Sequence, residues 1–165
     1  MACVLGVHFA ITAEQESQLL AADSAGETEA LEALLEDIEE GWDYGDDLKV
    51  DTDKAWDAIH RSLGDGTLDP DGPPFPLSHA ILGGRQMHDD YHVCYVSADE
   101  VREVAAALHQ VDQARLRRGF EAMADDYDGP RDADDADYTW SNFADVRSFF
   151  DRAAEAKRAV IFTAT

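Results

Sequence analysis

Trp56 and His60 stand four residues apart, a spacing that puts both on one face of any helix carrying them. A histidine so placed can act as a general base or a ligand, because its pKa lies near working pH. It can equally be a core side chain whose ring nitrogen meets a carbonyl, and the chemistry would need a second polar group that the spacing does not supply. Ser78-His79 lies just before Gly83-Gly84-Arg85. Read as a strand, this segment sends Ser78 and His79 to opposite faces, which argues against a nucleophile–base pair. There is no G-x-S-x-G elbow, and the glycine pair lacks both the P-loop lysine and the dinucleotide fingerprint. Gly83 and Gly84 then serve a tight turn or a close backbone approach. Arg85 is suited to an anion or, among so many acids, to a structural carboxylate.

Two further groups invite a metal. His88 and His92 have i, i+4 spacing, which chelates on a helix. On the strand expected near His92 the two lie roughly 13 Å apart, too far for one zinc ion. The run Asp125-Asp126-Tyr127-Asp128-Gly129 resembles a calcium loop in composition, but the alternating ligand register and the closing glutamate are missing and Pro130 intrudes. The expectation is no metal site and no cofactor.

These residues need elements to hold them. A strand is expected over 3–11, followed by a helix capped by Thr12 with Gln15 in a capping box. A second helix, capped by Thr28, places Leu31, Leu34, Leu35 and Ile38 on one face. A short extended piece over 48–50 precedes a third helix, starting at Asp51 or Thr52 and ending at Gly64. Residues 64–76 form a Gly/Pro/Asp loop. A strand follows over 91–96. Ser97 and Glu100 make a second capping box, and a fifth helix starts near Asp112. Seven aspartates between Asp125 and Asp137 read as a mobile acidic loop, about 125–139. Ser141 caps a last helix, and 159–163 is the closing strand. The fold class is therefore α+β: a single domain over 1–165, with one small mixed sheet that includes the N- and C-terminal strands and packs against about six helices.

Composition bounds function. The chain has 165 residues, is 45% hydrophobic and 30% charged, and has a net charge of -23 from 36 acids and 13 bases. Such acidity argues against nucleic acid, whose phosphates select Lys and Arg, and against an anionic membrane surface. A basic protein partner, polyamines and divalent cations fit it. Cys3 and Cys94 sit in apolar runs and read as small buried hydrophobes. With no signal-like N-terminus and no apolar run of about 20 residues, the expected location is the cytoplasm.

The blocks Gly6-Val7-His8-Phe9, Asp51 to His60 with Lys-Ala-Trp-x-x-Ile-His, Pro76 to Gly84 with Leu-Ser-x-Ala-Ile-Leu-Gly-Gly, Tyr95 to Val101, and Ala159-Val160-Ile161-Phe162 stand in an order that resembles the bacterial YfbM-like family, a domain of unknown function designated DUF1877. The resemblance covers nearly the whole chain. It implies a compact α+β domain and brings no activity, cofactor or catalytic residue with it. The aspartate-rich loop departs from the pattern, where a shorter acidic-aromatic segment is expected.

Three readings follow. The first is a non-catalytic acidic binding module, in its sharper form an inhibitor of a basic protein. The second is a small enzyme with a pocket at Trp56, His60 and the Pro76–Arg85 segment, with Ser78, Gly83, Gly84 and Arg85 as the binding residues. The third is a housekeeping structural or stress-related domain whose acidity reflects only a proteome biased toward Asp, Ala and Arg, which predicts acids spread evenly over the surface.

Overall fold

The computed structural model describes residues 4–42 and 46–164. Its strands are Gly6–Ile11 (β1), Lys49–Asp53 (β2), Arg85–Gln86 (β3), His92–Val96 (β4) and Ala159–Ala164 (β5). They form one sheet in the order β2-β1-β5-β4-β3. The two terminal strands are neighbours, with Phe9 opposite Ile161. Every pairing is antiparallel, so the sheet is not mixed. Cys3 lies outside the described residues.

Alternation along the three central strands sorts their side chains between two cores. Phe9, Ile11, Val93, Tyr95, Ala159 and Ile161 face one way, onto helices Ala13–Ser24 (α1) and Thr28–Gly41 (α2), meeting Leu19, Leu31, Leu35 and Ile38. Ala10, Cys94, Val96, Val160 and Phe162 face the other. There they meet helices Ala55–Leu63 (α3), Ala98–Leu108 (α4), Gln113–Glu121 (α5) and Ala133–Glu155 (α6). The architecture is helix–sheet–helix in three layers. Phe143, Phe149, Phe150 and Phe162 are fully buried in the larger core, each stabilising by up to about 3 kcal/mol relative to exposure.

Both expected capping boxes form, Thr12 with Gln15 and Ser97 with Glu100. Asp112 caps α5 through the Arg115 amide. Thr28 lies inside α2 and makes no cap; Glu27 is the capping position. The third helix starts later than expected, at Ala55. Thr52 is buried in β2 with its Oγ1 donating to the Gly6 carbonyl at 2.9 Å, and Asp53 turns the chain at φ 50°. The last helix starts eight residues before Ser141. Asp132 caps it through the Asp135 amide at 2.8 Å, and Asp134 and Asp135 fill a first turn where the helix dipole favours carboxylates. The aspartate-rich segment is thus half helix, and its remainder, 125–132, is tied down.

The tie is Arg61, 2% exposed, which donates to Asp57 at 2.6 Å, to Asp126 at 2.7 Å and to the Gly66 carbonyl at 3.2 Å. Arg131 donates to the Met123 and Ala124 carbonyls, and Tyr127 to Asp135 at 2.8 Å.

Candidate functional site

Trp56 and His60 lie on α3, the most enclosed helix, where every residue except Asp57 is buried. Trp56 donates its indole N–H to the Val4 carbonyl at 2.9 Å and packs against Phe162 and His92. His60 is fully buried, and its Nε2 donates to the Asp69 carbonyl at 2.7 Å. Its Nδ1 has no partner among the described residues. Burial holds the imidazole below its ordinary pKa, against the opposing pull of the Asp69 carbonyl. So placed, His60 reaches no solvent-borne reactant. The pair seals α3 to the N-terminal strand and to the loop after the helix.

The Pro76–Arg85 segment does approach α3, which packs on a short 3-10 helix, Leu77–Ala80. Leu77, Ala80, Ile81 and Leu82 join Ile59 and Leu63 in one apolar cluster. The contact between the two blocks is apolar core packing. On the 3-10 turn, unlike a strand, neighbouring side chains can touch. Ser78 Oγ lies 2.9 Å from His79 Nδ1, and His79 Nε2 lies 3.2 Å from Glu100 Oε2 on α4. The Gly83 amide donates to the Ser78 carbonyl at 2.8 Å. A Cβ on Gly83 would meet that carbonyl oxygen at 2.4 Å and His79 Nδ1 at 2.9 Å. Gly84 has φ +94° and would press on the Tyr95 carbonyl at 2.4 Å. Both glycines are therefore required by close approach. Arg85 pairs with Asp23 at 2.7 Å and Ser24 at 3.2 Å, tying β3 to α1 as a structural salt bridge.

The other histidines are dispersed. His88 pairs with Glu32 at 2.8 Å and stacks on Tyr91, while His92 packs against Trp56. Among the described residues, no three His, Cys, Asp or Glu side chains are placed to hold one metal ion. Cys94 is buried, and burial pushes its thiol up to about 12.

Two cavities lie elsewhere. One of about 460 Å³ opens between α5 and α6 beside Phe120 and Trp140. The other, about 340 Å³, is lined by Glu32, Leu35, Glu36, Glu39, Tyr91 and Thr163, between α2 and the end of β5. Neither is lined by Trp56, His60, Ser78, Gly83, Gly84 or Arg85. Partial burial holds the Glu39 carboxyl above its ordinary range; Thr163 and Lys49 oppose the shift, and Glu36 adds to it. The sequence signal for this second cavity was the run of glutamates on α2, which by periodicity alone reads as a solvated face.

Among the described residues, no helix is long and apolar enough to cross a membrane. A search of curated proteins finds no match. A solved structure described as a protein of unknown function, YfbM from Escherichia coli, superposes with a TM-score of 0.73 at 19% identity, over 98% of this chain and 99% of that one. At that identity the likeness speaks for the fold alone. The family model described as domain of unknown function (DUF1877) matches residues 1–163, and with it the chain belongs to the DUF1877 family.

Proposed function

We propose that this protein is an acidic binding module whose α1–α2 layer receives a basic protein partner. The observation that carries the reading is a segregation of charge. The first 48 residues hold 13 acids and no Lys or Arg. They supply β1 and the whole helical layer on one face of the sheet. That layer is met by side chains from elsewhere: the Arg85 guanidinium pairs with Asp23, and the His88 ring lies against Glu32. Among the described residues, Glu29, Glu36, Asp37 and Glu40 make no ion pair, and all are exposed. The groove at Glu32, Glu36 and Glu39 offers a concave place for a Lys or Arg side chain, with Tyr91 on its wall. A layer with 13 acids and no Lys or Arg of its own, beside a remainder that carries every Lys and Arg, suits electrostatic steering of a basic protein.

Affinity capture from native lysate tests the reading, with the wild-type chain beside a Glu36→Gln/Glu39→Gln variant at low and moderate salt. One basic protein should be retained by the wild type at low salt, released at moderate salt and depleted by the variant. Equal retention by both chains, or retention indifferent to salt, would overturn the assignment to this layer.

A further inference from the structure

Ser78, His79 and Glu100 form a chain of contacts that neither the fold nor the acidic layer requires. The 3-10 turn is held from three sides: the Ser78 amide donates to the Pro74 carbonyl at 3.2 Å, the Gly83 amide grips the Ser78 carbonyl, and the buried His8 donates to the Ala80 carbonyl at 2.7 Å. Ser78 Oγ is thereby fixed against His79 Nδ1 at 2.9 Å. Glu100 is itself pinned, because its Oε1 accepts the Ser97 amide in the capping box while its Oε2 faces His79 Nε2. The 3.2 Å contact with His79 has ion-pair spacing without hydrogen-bond geometry, and a negative carboxylate at that distance repels a lone pair on Nε2. It therefore favours the tautomer with the proton on Nε2, which leaves the Nδ1 lone pair to accept from Ser78 O–H. That is the division of labour in a serine nucleophile, its base and an orienting acid, with the two ring nitrogens exchanged. Exposure rises from 4% at Ser78 to side-chain values of 18% at His79 and 36% at Glu100. The approach is therefore from the His79 side. Phe75, 48% exposed, stands edge-on to the His79 ring at 4.8 Å. It is one of three large hydrophobics exposed among the described residues.

We infer that Ser78 is a nucleophile, activated by His79 and positioned by Glu100, that accepts small acyl groups from esters. Ser78 Oγ attacks the ester carbonyl, forming the Oγ–C bond as its proton passes to His79 Nδ1. The C–O bond to the leaving group breaks, and Nδ1 returns the proton to the departing oxygen. Water then attacks the acyl-serine, giving its proton to Nδ1; the carboxylic acid leaves and Ser78 O–H is restored. Ser78 and His79 are the catalytic residues and Glu100 a positioning residue. The activity is independent of the acidic binding layer on the other face of the sheet.

The test treats the wild-type chain with a fluorophosphonate, whose P–F bond breaks as the Oγ–P bond forms, and maps the adduct by peptide mass spectrometry. One adduct on Ser78 is expected, with an equimolar burst of nitrophenolate from p-nitrophenyl acetate. No adduct, or one on another residue, would overturn the proposal. Glu100→Gln separates positioning from folding. A glutamine keeps the capping box, but its amide N–H facing Nε2 drives the proton to Nδ1, the wrong tautomer. Labelling should slow at least about tenfold with unchanged melting, and the His79 ¹⁵N shifts should exchange from the Nε2–H to the Nδ1–H pattern. Labelling as fast as wild type would remove Glu100 and the relay with it.

Discussion

His8 is the residue whose burial has the clearest thermodynamic consequence. It is enclosed by Phe149, Phe150 and Phe162, with Nε2 on the Ala80 carbonyl and no partner for Nδ1 among the described residues. Burial lowers its pKa from 6.5 to about 4, the Ala80 carbonyl opposing. The unfolded chain therefore binds a proton below about pH 6.5 that the folded chain refuses until about pH 4. The resulting stability is complete above pH 6.5 and is lost as the pH falls to 4, a change of about 3 kcal/mol. His60, lowered by the same cause, adds in the same direction. Denaturant unfolding at pH 7 and pH 5 should show the loss. His8→Leu should be less stable at pH 7, having left the Ala80 carbonyl unpaired, and should lose less between the two pH values. An unchanged pH dependence would show that His8 does not titrate on unfolding. At this scale the sequence was partly legible. A buried histidine on a carbonyl was one of the two readings open for His60, and a structural carboxylate was the better reading for Arg85. The Ser78–His79 contact was hidden, because the dipeptide says nothing of its turn and Glu100 is distant in sequence.

Between elements, α3 and α5 approach closely at Gly119. A Cβ on Gly119 would fall 1.9 Å from the Ser62 carbonyl oxygen, backbone that cannot swing aside. Gly119→Ala should destabilise by about 3 kcal/mol or more, read as a lower urea midpoint. Gly41→Ala, with nothing within 4 Å of the added carbon among the described residues, serves as the harmless control. The aspartate-rich segment makes a second case. Arg61→Met removes the cation that holds Asp126 and leaves Asp57 without its partner. Amide exchange over 124–132 should accelerate, with a loss of about 3 kcal/mol overall; unchanged exchange would mean that Arg131 and Tyr127 hold the segment alone. Helices with strong caps and apolar stripes were legible from sequence, Thr12 and Ser97 above all. The start of α6 was misread because its first turns carry aspartates, although Ala136 and Thr139 already continue the stripe of Phe143 and Val146 at helical spacing. The two-residue β3 gave no periodic signal at all.

For the whole molecule the governing fact is where the charge sits. Cations confined to residues 49–158 leave the α1–α2 layer to repel itself, so screening and neutralisation should stabilise the fold while abolishing capture of a basic partner. The two effects carry opposite signs, and that opposition separates a working acidic surface from a merely tolerated one. Added sodium chloride should raise the melting temperature, since a Debye length near 8 Å at physiological salt already damps repulsion between neighbouring carboxylates. Glu36→Gln/Glu39→Gln should do the same at low salt, by about 0.5–1 kcal/mol for the like-charge pairs removed, or about 2 °C for a chain of this size. Glu39 contributes most, because its carboxyl is already held above its ordinary range by partial burial. A variant that melts higher and captures less would show a layer kept acidic at a cost to stability, as selection for a cationic partner demands. A variant that melts lower would place these glutamates among the groups that hold α2 in position, and the search for the partner's surface would move to the aspartates around Arg61.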